Sequence, residues 1–180
     1  MPDPTDLQPQ IPPAMEASRP DCILGLDIGG AGLKVAALRN GAILWTTKRG
    51  YRKPTVDDLI GAIRDALKGH AENFAAVGIC VPGLLDKQRK RVTFSVNVPA
   101  LSEIALDDLV SRALGRKPDM LHVANDSMAS GYDIHSMRKL PGRLLVLALG
   151  TGVGAAVLDD GVPLKVDGES PGHVGQFDVS

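Results

Sequence analysis

The stretch CILGLDIGGAGLKVAAL, residues 22–38, decides the fold, because it joins two short apolar runs through a turn of glycines. The first run, residues 22–27, is almost continuously apolar and stops at the glycines, which predicts a buried strand. The second run, residues 33–38, predicts another strand. Glycines at a turn leave backbone N–H groups uncovered by any Cβ atom, and such a concave surface suits an anionic oxygen. The stretch therefore predicts a strand–turn–strand unit with room for a phosphate group.

A second glycine turn, GTGVG at residues 150–154, has the same setting. It lies between an apolar run at 144–149, which predicts a buried strand, and another at 155–158. Residues 150–155 also satisfy the dinucleotide-binding pattern Gly-x-Gly-x-x-Ala. That pattern requires a helix directly after the turn, and the Asp-Asp-Gly sequence at 159–161 comes too soon for one. One such turn is also typical of an ordinary hairpin, so it is the pair that indicates a phosphate clamp.

The chain between the two turns carries further strands and helices. Asn40-Gly41 is a strong hairpin signal, so three consecutive strands open the domain. Thr55 precedes apolar residues at helical spacing and predicts a capped amphipathic helix, which Gly69 closes. A helix that leads into a buried strand implies a parallel crossover. The predicted elements are a strand at 42–47, a helix at 56–67, a strand at 75–81, a helix at 104–114, a strand at 120–123 and a helix at 126–135.

The composition points to a small-molecule partner. Among 180 residues the formal net charge is -1, so the chain lacks the excess of basic residues that would favour binding to nucleic acid or to an anionic membrane. No run approaches the roughly 20 apolar residues of a membrane span, and we expect a cytoplasmic protein. Cys22 and Cys80 lie in predicted strands without metal-ligand spacing, so we interpret both as reduced packing residues. Residues 1–20 are rich in proline and predict a disordered or extended lead-in.

Five motifs occur in an order that resembles the ROK family of sugar kinases, which have the actin-like ATPase fold. They are the first glycine turn, Asn97-Val98-Pro99, Asn125-Asp126, the second glycine turn and Gly172-His173, within a resemblance that covers about residues 23 to 175. The resemblance implies an α/β fold with an actin-like, ribonuclease H-like domain at 21–142 and a mixed five-stranded sheet. An incomplete beginning of a second, similar lobe follows at 143–180. The second turn, followed by small residues and Asp-Gly, is especially similar to glucokinases, including those that use polyphosphate.

The resemblance implies transfer of a phosphoryl group from ATP, or alternatively from polyphosphate, with Mg²⁺, to a hexose hydroxyl. Glucose is the first candidate for the hexose. Asp126 matches the catalytic base that takes the proton of the sugar hydroxyl, although from this residue alone a helix cap is the commoner role. Asn97 and Asn125 match residues that hydrogen-bond sugar hydroxyls. For Asn97, beside Pro99, ordinary turn chemistry is the alternative.

The resemblance implies that the phosphoryl donor binds at the two glycine turns and the residues next to them. Asp27 is similar to the acidic residue that reaches Mg²⁺ through water, because Mg²⁺ keeps much of its hydration. The alternative is an Asp that ends the strand and bonds the turn. Lys34 either neutralises phosphate charge or faces solvent from the strand. The phosphate-binding residues implied in this way are Gly29, Gly30, Lys34, Gly150, Thr151, Gly152 and Gly154.

The chain departs from the family pattern near its second lobe and in its first turn. Residues 169–173 read Glu-Ser-Pro-Gly-His where the family has Gly-Glu-x-Gly-His. His173, and Glu169 after a shift of one residue, are therefore the candidates for this part of the sugar site. Ala31 stands where the family commonly has Thr, which removes one hydroxyl donor. The cysteine segment that binds zinc in many members has no counterpart after His173, so no zinc site is predicted.

An alternative function is a degenerate or truncated relative that binds sugar or a partner without turnover. A DNA-binding regulator is disfavoured, because residues 1–20 are too short and proline-rich for a helix-turn-helix. If the chain comprises only these 180 residues, the second lobe is unfinished and we expect the apolar edges of the hairpin at 144–158 to be exposed. Exposed apolar strand edges favour a homo-oligomer.

Overall fold

The computed structural model describes residues 22–70, 72–74, 76–86, 88, 90–149 and 153–164. In chain order they form β1 (Cys22–Gly29), β2 (Gly32–Arg39), β3 (Ala42–Gly50), α1 (Val56–Leu67), β4 (Ala76–Val81), β5 (Leu84–Leu85), β6 (Val92–Phe94), a 3₁₀ helix (Pro99–Glu103), α2 (Leu106–Leu114), β7 (Met120–Asn125), α3 (Asp126–Arg138), β8 (Arg143–Leu149), β9 (Val153–Asp159) and β10 (Val162–Pro163). The three opening strands and the helix after Thr55 are confirmed.

β1 lies at the centre of a five-stranded sheet whose strand order is β3-β2-β1-β4-β7. It pairs with β2 in antiparallel and with β4 in parallel orientation, and β4 pairs with β7 in parallel orientation. The hairpin connections produce the antiparallel pairs, whereas α1 and α2 carry the chain back across the sheet and permit the parallel ones. The mixed five-stranded sheet is therefore confirmed.

α1 and α2 pack against one face of this sheet and form the main core. Alternate residues of β1 face that core, so Leu24, Leu26 and Ile28 are buried while Ile23 is exposed. The predicted strand is confirmed, but β1 fully buries one face only, because among the described residues no helix covers the opposite face along its whole length. The largest fully buried side chains of this core are Leu24, Ile28, Leu33, Leu59, Ile63, Leu101, Leu106 and Leu109.

Helix ends agree with the sequence where a side chain caps the backbone. Thr55 caps α1 through a reciprocal pair, in which its Oγ1 accepts from the Asp58 N–H at 3.2 Å and the Asp58 carboxylate accepts from the Thr55 N–H at 2.9 Å. The helix predicted from residue 104 begins at Leu106 instead, since a 3₁₀ helix occupies Pro99–Glu103. Gly115 ends α2 in the left-handed conformation, which agrees with the predicted helix end at residue 114.

A second, antiparallel sheet has the strand order β10-β9-β8. α3 contacts both β8 and β9, and Met128 packs there with Ala156 and Leu158. The strand predicted at residues 144–149 is confirmed, but only one of its faces is covered, because Leu145, Leu147 and Leu149 are all exposed. In the described part of the chain, α3 covers one face of this sheet and nothing covers the other. The predicted domain boundary at 142/143 stays a prediction.

Candidate active site

A row of residues crosses the five-stranded sheet beside the first glycine turn. Strand pairing aligns Lys48 of β3 with Lys34 of β2, Lys34 with Asp27 of β1, Asp27 with Cys80 of β4, and Cys80 with Ala124 of β7. Aligned residues on neighbouring strands present their side chains on the same face. Because the flanking Leu26 and Ile28 face the core, the row lies on the opposite face, as an alternating strand requires.

Asp27 and Lys34 form an ion pair within this row. The Lys34 Nζ lies 2.8 Å from the Asp27 Oδ2, and their side chains are 64% and 41% exposed. The hydrogen bond to Asp27, followed by its charge, raises the pKa of Lys34 above its ordinary value. Exposed pairs of this kind contribute at most about 1 kcal/mol, because water competes for both groups. The pair is therefore weak enough to be exchanged for a stronger anionic or cationic partner.

Cys80 is half-buried and lies beside Asp27 in the parallel pairing of β1 and β4. Burial, followed by the negative charges of Asp27 and Asp126, raises the pKa of its thiol to about 12. The thiol is thus protonated and unreactive at neutral pH, because ionisation would leave a third negative charge among the same groups. The interpretation of Cys80 as a packing residue missed this setting. The signal that reveals this setting is the strand register, which places Cys80 beside Asp27.

α3 starts directly at the end of β7, where Asn125 and Asp126 stand next to each other. Asn125 is buried, and its Oδ1 accepts from the Met128 N–H at 2.8 Å, so Asn125 is the helix cap. The alternative interpretation of Asp126 as the cap is therefore wrong. The Asp126 Oδ1 accepts from the Ser127 N–H at 2.8 Å, and the carboxylate is exposed in the first turn, where the helix dipole favours a negative charge.

The first glycine turn lies between β1 and β2, and its neighbours leave no space for larger residues. A Cβ atom at Gly30 would lie 3.0 Å from the Asn97 Cβ, and one at Gly32 would lie 2.6 Å from the Arg49 carbonyl oxygen. The Tyr51 hydroxyl donates to the Gly29 carbonyl at 2.8 Å and fixes the turn from the β3 side. Asn97 is thus brought against the turn, as the sequence grouping implied.

The second turn is described only at its end. Gly154 pairs with Ala148 in the β8–β9 hairpin, and the position of its missing Cβ lies against Ser127. The hairpin therefore approaches the chain directly after Asp126. The other sequence candidates, Gly150, Thr151, Gly152, Glu169 and His173, lie outside the described residues.

The described ranges contain no cluster of three or more His, Cys, Asp or Glu side chains arranged around a metal position. Asp27 offers a carboxylate, a ligand type that Mg²⁺ prefers. A single carboxylate suits an ion that keeps most of its ligands from water and phosphate, rather than one enclosed by protein. Within the described residues, no helix is long and apolar enough to cross a membrane.

Comparisons with known proteins agree with this arrangement. The family model for the ROK family matches residues 23–178. N-acetyl-D-glucosamine kinase of Erwinia tasmaniensis is 30% identical over 159 residues, which are 85% of this chain and 51% of that protein. Glucokinase of Thermotoga maritima is 28% identical over 146 residues, or 77% of this chain and 45% of that protein. The chain spans about half the length of these curated relatives.

Solved structures show the same fold. A ROK family glucokinase from Streptomyces griseus, in complex with glucose and AMPPNP, matches with a TM-score of 0.71 and 26% identity, over 88% of this chain and 51% of that one. An inorganic polyphosphate/ATP-glucomannokinase from Arthrobacter sp. strain KM matches with a TM-score of 0.66 and 25% identity, over 84% of this chain and 66% of that one.

Proposed function

This chain belongs to the ROK family, and we propose that it carries the acceptor base and part of the donor site of a sugar kinase. The reaction is transfer of the terminal phosphoryl group of ATP or polyphosphate to a hexose hydroxyl, with glucose as the first candidate. The observation that supports it is the strand pairing that aligns Asp27 with Cys80 beside the first glycine turn and ends the neighbouring strand β7 directly before Asp126. The negative charges of both carboxylates act on the Cys80 thiol.

In this proposal Asp126 holds the proton that leaves the sugar hydroxyl. The sugar oxygen forms a bond to the terminal phosphorus, and the bond from that phosphorus to the bridging oxygen of the donor breaks. Asp126 suits this role because Asn125 supplies the helix cap, so the exposed carboxylate is not needed for that bond. A positioned base of this kind contributes roughly 100- to 10,000-fold to the rate.

The glycine turn and Lys34 bind the donor phosphates through backbone N–H groups and a positive charge. Asp27 holds Mg²⁺ through water, and the ion, when bound, neutralises charge on the donor. Asn97 lies against Gly30 and contributes to the sugar side of the turn. The proposed roles of Thr151 at the phosphates and of His173 and Glu169 at the sugar rest on the sequence resemblance alone. Residues 21–142 form the first lobe, 143–180 begin the second, and the protein acts in the cytoplasm.

The test is sugar-dependent consumption of ATP or polyphosphate by the longest native form of the chain. Asp126→Asn should lower kcat by roughly 100-fold or more, because the amide cannot accept the proton. Asp133→Asn is the matched control, since it removes another exposed carboxylate from the same helix. The acceptor panel includes N-acetylglucosamine, because one relative is named as its kinase. Equal turnover by the Asp126 variant and the unaltered protein would remove Asp126 from the mechanism.

A second candidate is a protein that binds sugar without turnover. It is favoured by Ala31 in the first turn, where the family commonly has a Thr hydroxyl. Calorimetry with glucose would then show binding, while neither donor yields a sugar phosphate. Product formation with either donor would reject this candidate.

A further inference from the structure

Two lysines stand side by side on neighbouring strands at the edge of the candidate donor site. Lys34 of β2 and Lys48 of β3 are directly aligned in the antiparallel pairing. Directly opposite side chains in such a pair have Cβ atoms about 5 Å apart, and like charges there are destabilising. The alignment of two cations therefore destabilises the pairing of β2 and β3, and the sheet does not need lysine at both positions in order to form.

Only one of these charges is balanced within the described part of the protein. Lys34 is paired with Asp27 at 2.8 Å, whereas none of the ion pairs among the described residues includes Lys48. Both lysines line the open cavity that contains the glycine turn and Asn97, a cavity of about 640 Å³. The pair thus adds unbalanced positive charge to the surface next to the backbone N–H groups of that turn.

Lys48 begins a basic run, KRGYRK at residues 48–53. The next residue, Arg49, has hydrogen-bond partners of its own within the protein. The guanidinium of Arg49 donates to the Asp65 carbonyl at 3.3 Å and to the Thr47 hydroxyl at 3.1 Å, so it is held near the end of α1. Tyr51 anchors the run to the turn through its hydrogen bond to the Gly29 carbonyl. The position of Lys48 relative to the glycine turn is therefore set by the fold.

We propose that Lys48 is a second donor-binding cation, which with Lys34 binds an inorganic oligophosphate chain along the phosphates that follow the transferred one. This inference rests on the proposed function. A chain donor repeats its negative charge at every phosphate, so it can contact successive cations on adjacent strands. A nucleoside triphosphate replaces that repeat by an uncharged ribose and base after three phosphates. Lys48 thus favours the chain over the nucleotide.

The test is equilibrium binding of inorganic polyphosphate and of ATP, measured by calorimetry at several salt concentrations on the longest native form. Lys48→Met should weaken polyphosphate binding about tenfold, the effect of one charge-assisted contact. The slope of log K against log salt should fall by about one, because one fewer counterion is released. ATP binding should change less than about twofold. Lys117→Met removes an exposed lysine from a loop elsewhere and should leave both affinities unchanged.

The outcomes separate this inference from the function on which it rests. Failure of the unaltered protein to bind any phosphate compound would overturn both. If Lys34→Met weakened polyphosphate binding and Lys48→Met did not, the inference alone would fail. An equal loss for ATP and polyphosphate in the Lys48 variant would likewise overturn the preference for a chain donor. Thermal unfolding provides the folding control, since removal of one of two aligned like charges should not lower stability.

Discussion

Asn125 and Asp126 are adjacent, yet the start of α3 uses their side chains differently. The Asn125 amide oxygen is buried and closes the first turn of the helix, whereas the Asp126 carboxylate remains exposed beside Cys80. Strand β7 and helix α3 meet without a loop, so the last strand residue is also the cap. A structural role and a chemical role are therefore divided between two neighbouring residues.

This division predicts separable effects on stability and turnover. Asn125→Ala should lower the free energy of unfolding by about 1 kcal/mol, because the Met128 N–H loses its partner. Asn125→Asp should retain that hydrogen bond and most of the stability. Chemical denaturation of the three proteins checks the prediction. A loss of stability in Asp126→Asn as large as in Asn125→Ala would contradict the division of roles.

The thiol of Cys80 predicts a decrease in stability at alkaline pH. Its pKa rises from 9.0 to about 12 on folding, chiefly through burial and then through Asp27. The unfolded chain therefore releases this proton near pH 9, while the folded protein keeps it until about pH 12. The stabilisation is fully present below pH 9 and is lost as the pH rises toward 12. Cys80→Ala should show a smaller decrease in denaturation free energy across this interval.

Tyr51 also contributes to the alkaline decrease, since burial raises the pKa of its phenol to about 12. The comparison between the unaltered protein and Cys80→Ala holds this contribution constant. Parallel decreases in the two proteins between pH 9 and 12 would show that burial and the neighbouring carboxylates do not raise the pKa of Cys80.

At the scale of elements, α1 and α3 each carry a glycine, and their surroundings are opposite. Nothing lies within 4 Å of a Cβ atom built at Gly61 of α1. At Gly131 of α3, such an atom would lie 2.6 Å from the Leu158 Cδ1 and 3.6 Å from the Ala156 Cβ. Leu158 belongs to β9 and is fully buried against the helix. The absence of a side chain at Gly131 is therefore what lets α3 pack against the second sheet.

The same substitution at these two sites should change stability in opposite directions. Gly61→Ala should raise the free energy of unfolding by about 0.5–1 kcal/mol, because alanine loses less backbone entropy in a helix. Gly131→Ala should lower it by about 1–3 kcal/mol, because Leu158 must move within a packed cluster. Denaturant titration of both variants measures this. A gain in stability at Gly131 would show that α3 is not held against β9.

At the scale of the whole molecule, β8 carries an apolar stripe without a cover in the described residues. Leu145, Leu147 and Leu149 alternate along one face and are 58%, 54% and 79% exposed. The hairpin of β8 and β9 was expected to expose apolar residues, and this exposure is confirmed for the leucine stripe. Apolar surface of this kind promotes association with other copies.

We therefore expect the 180-residue chain to self-associate through the leucine stripe. Light scattering should give an apparent mass that rises with concentration, and Leu147→Lys should reduce that rise by placing a charge in the stripe. Ile43→Lys is the matched control, because Ile43 is 65% exposed on β3, in the other sheet. A constant monomer mass at every concentration, or equal effects of the two substitutions, would contradict a contact through β8.

The sequence by itself determined the first glycine turn, the order of most strands and helices, and the cap at Thr55. These features depend on local backbone geometry and on the spacing of apolar residues, which neighbouring residues alone can specify. The family order of motifs also predicted that Asp27, Asn97 and Asp126 belong to one site. Apolar runs did not reveal that β1 and β8 each bury one face only, since composition does not say whether a second layer covers a strand.

Only the tertiary structure decided which residues share a face and which of two neighbours performs a given role. Strand register aligned Lys48, Lys34, Asp27 and Cys80, which lie on four different strands, and Cys80 is far from the other three in the chain. The start of α3 assigned the cap to Asn125 and left Asp126 exposed. The physical reason is that the register between strands distant in the chain depends on the packing of the whole sheet. The direction of a side chain at a helix start likewise depends on how the preceding strand leads into the helix.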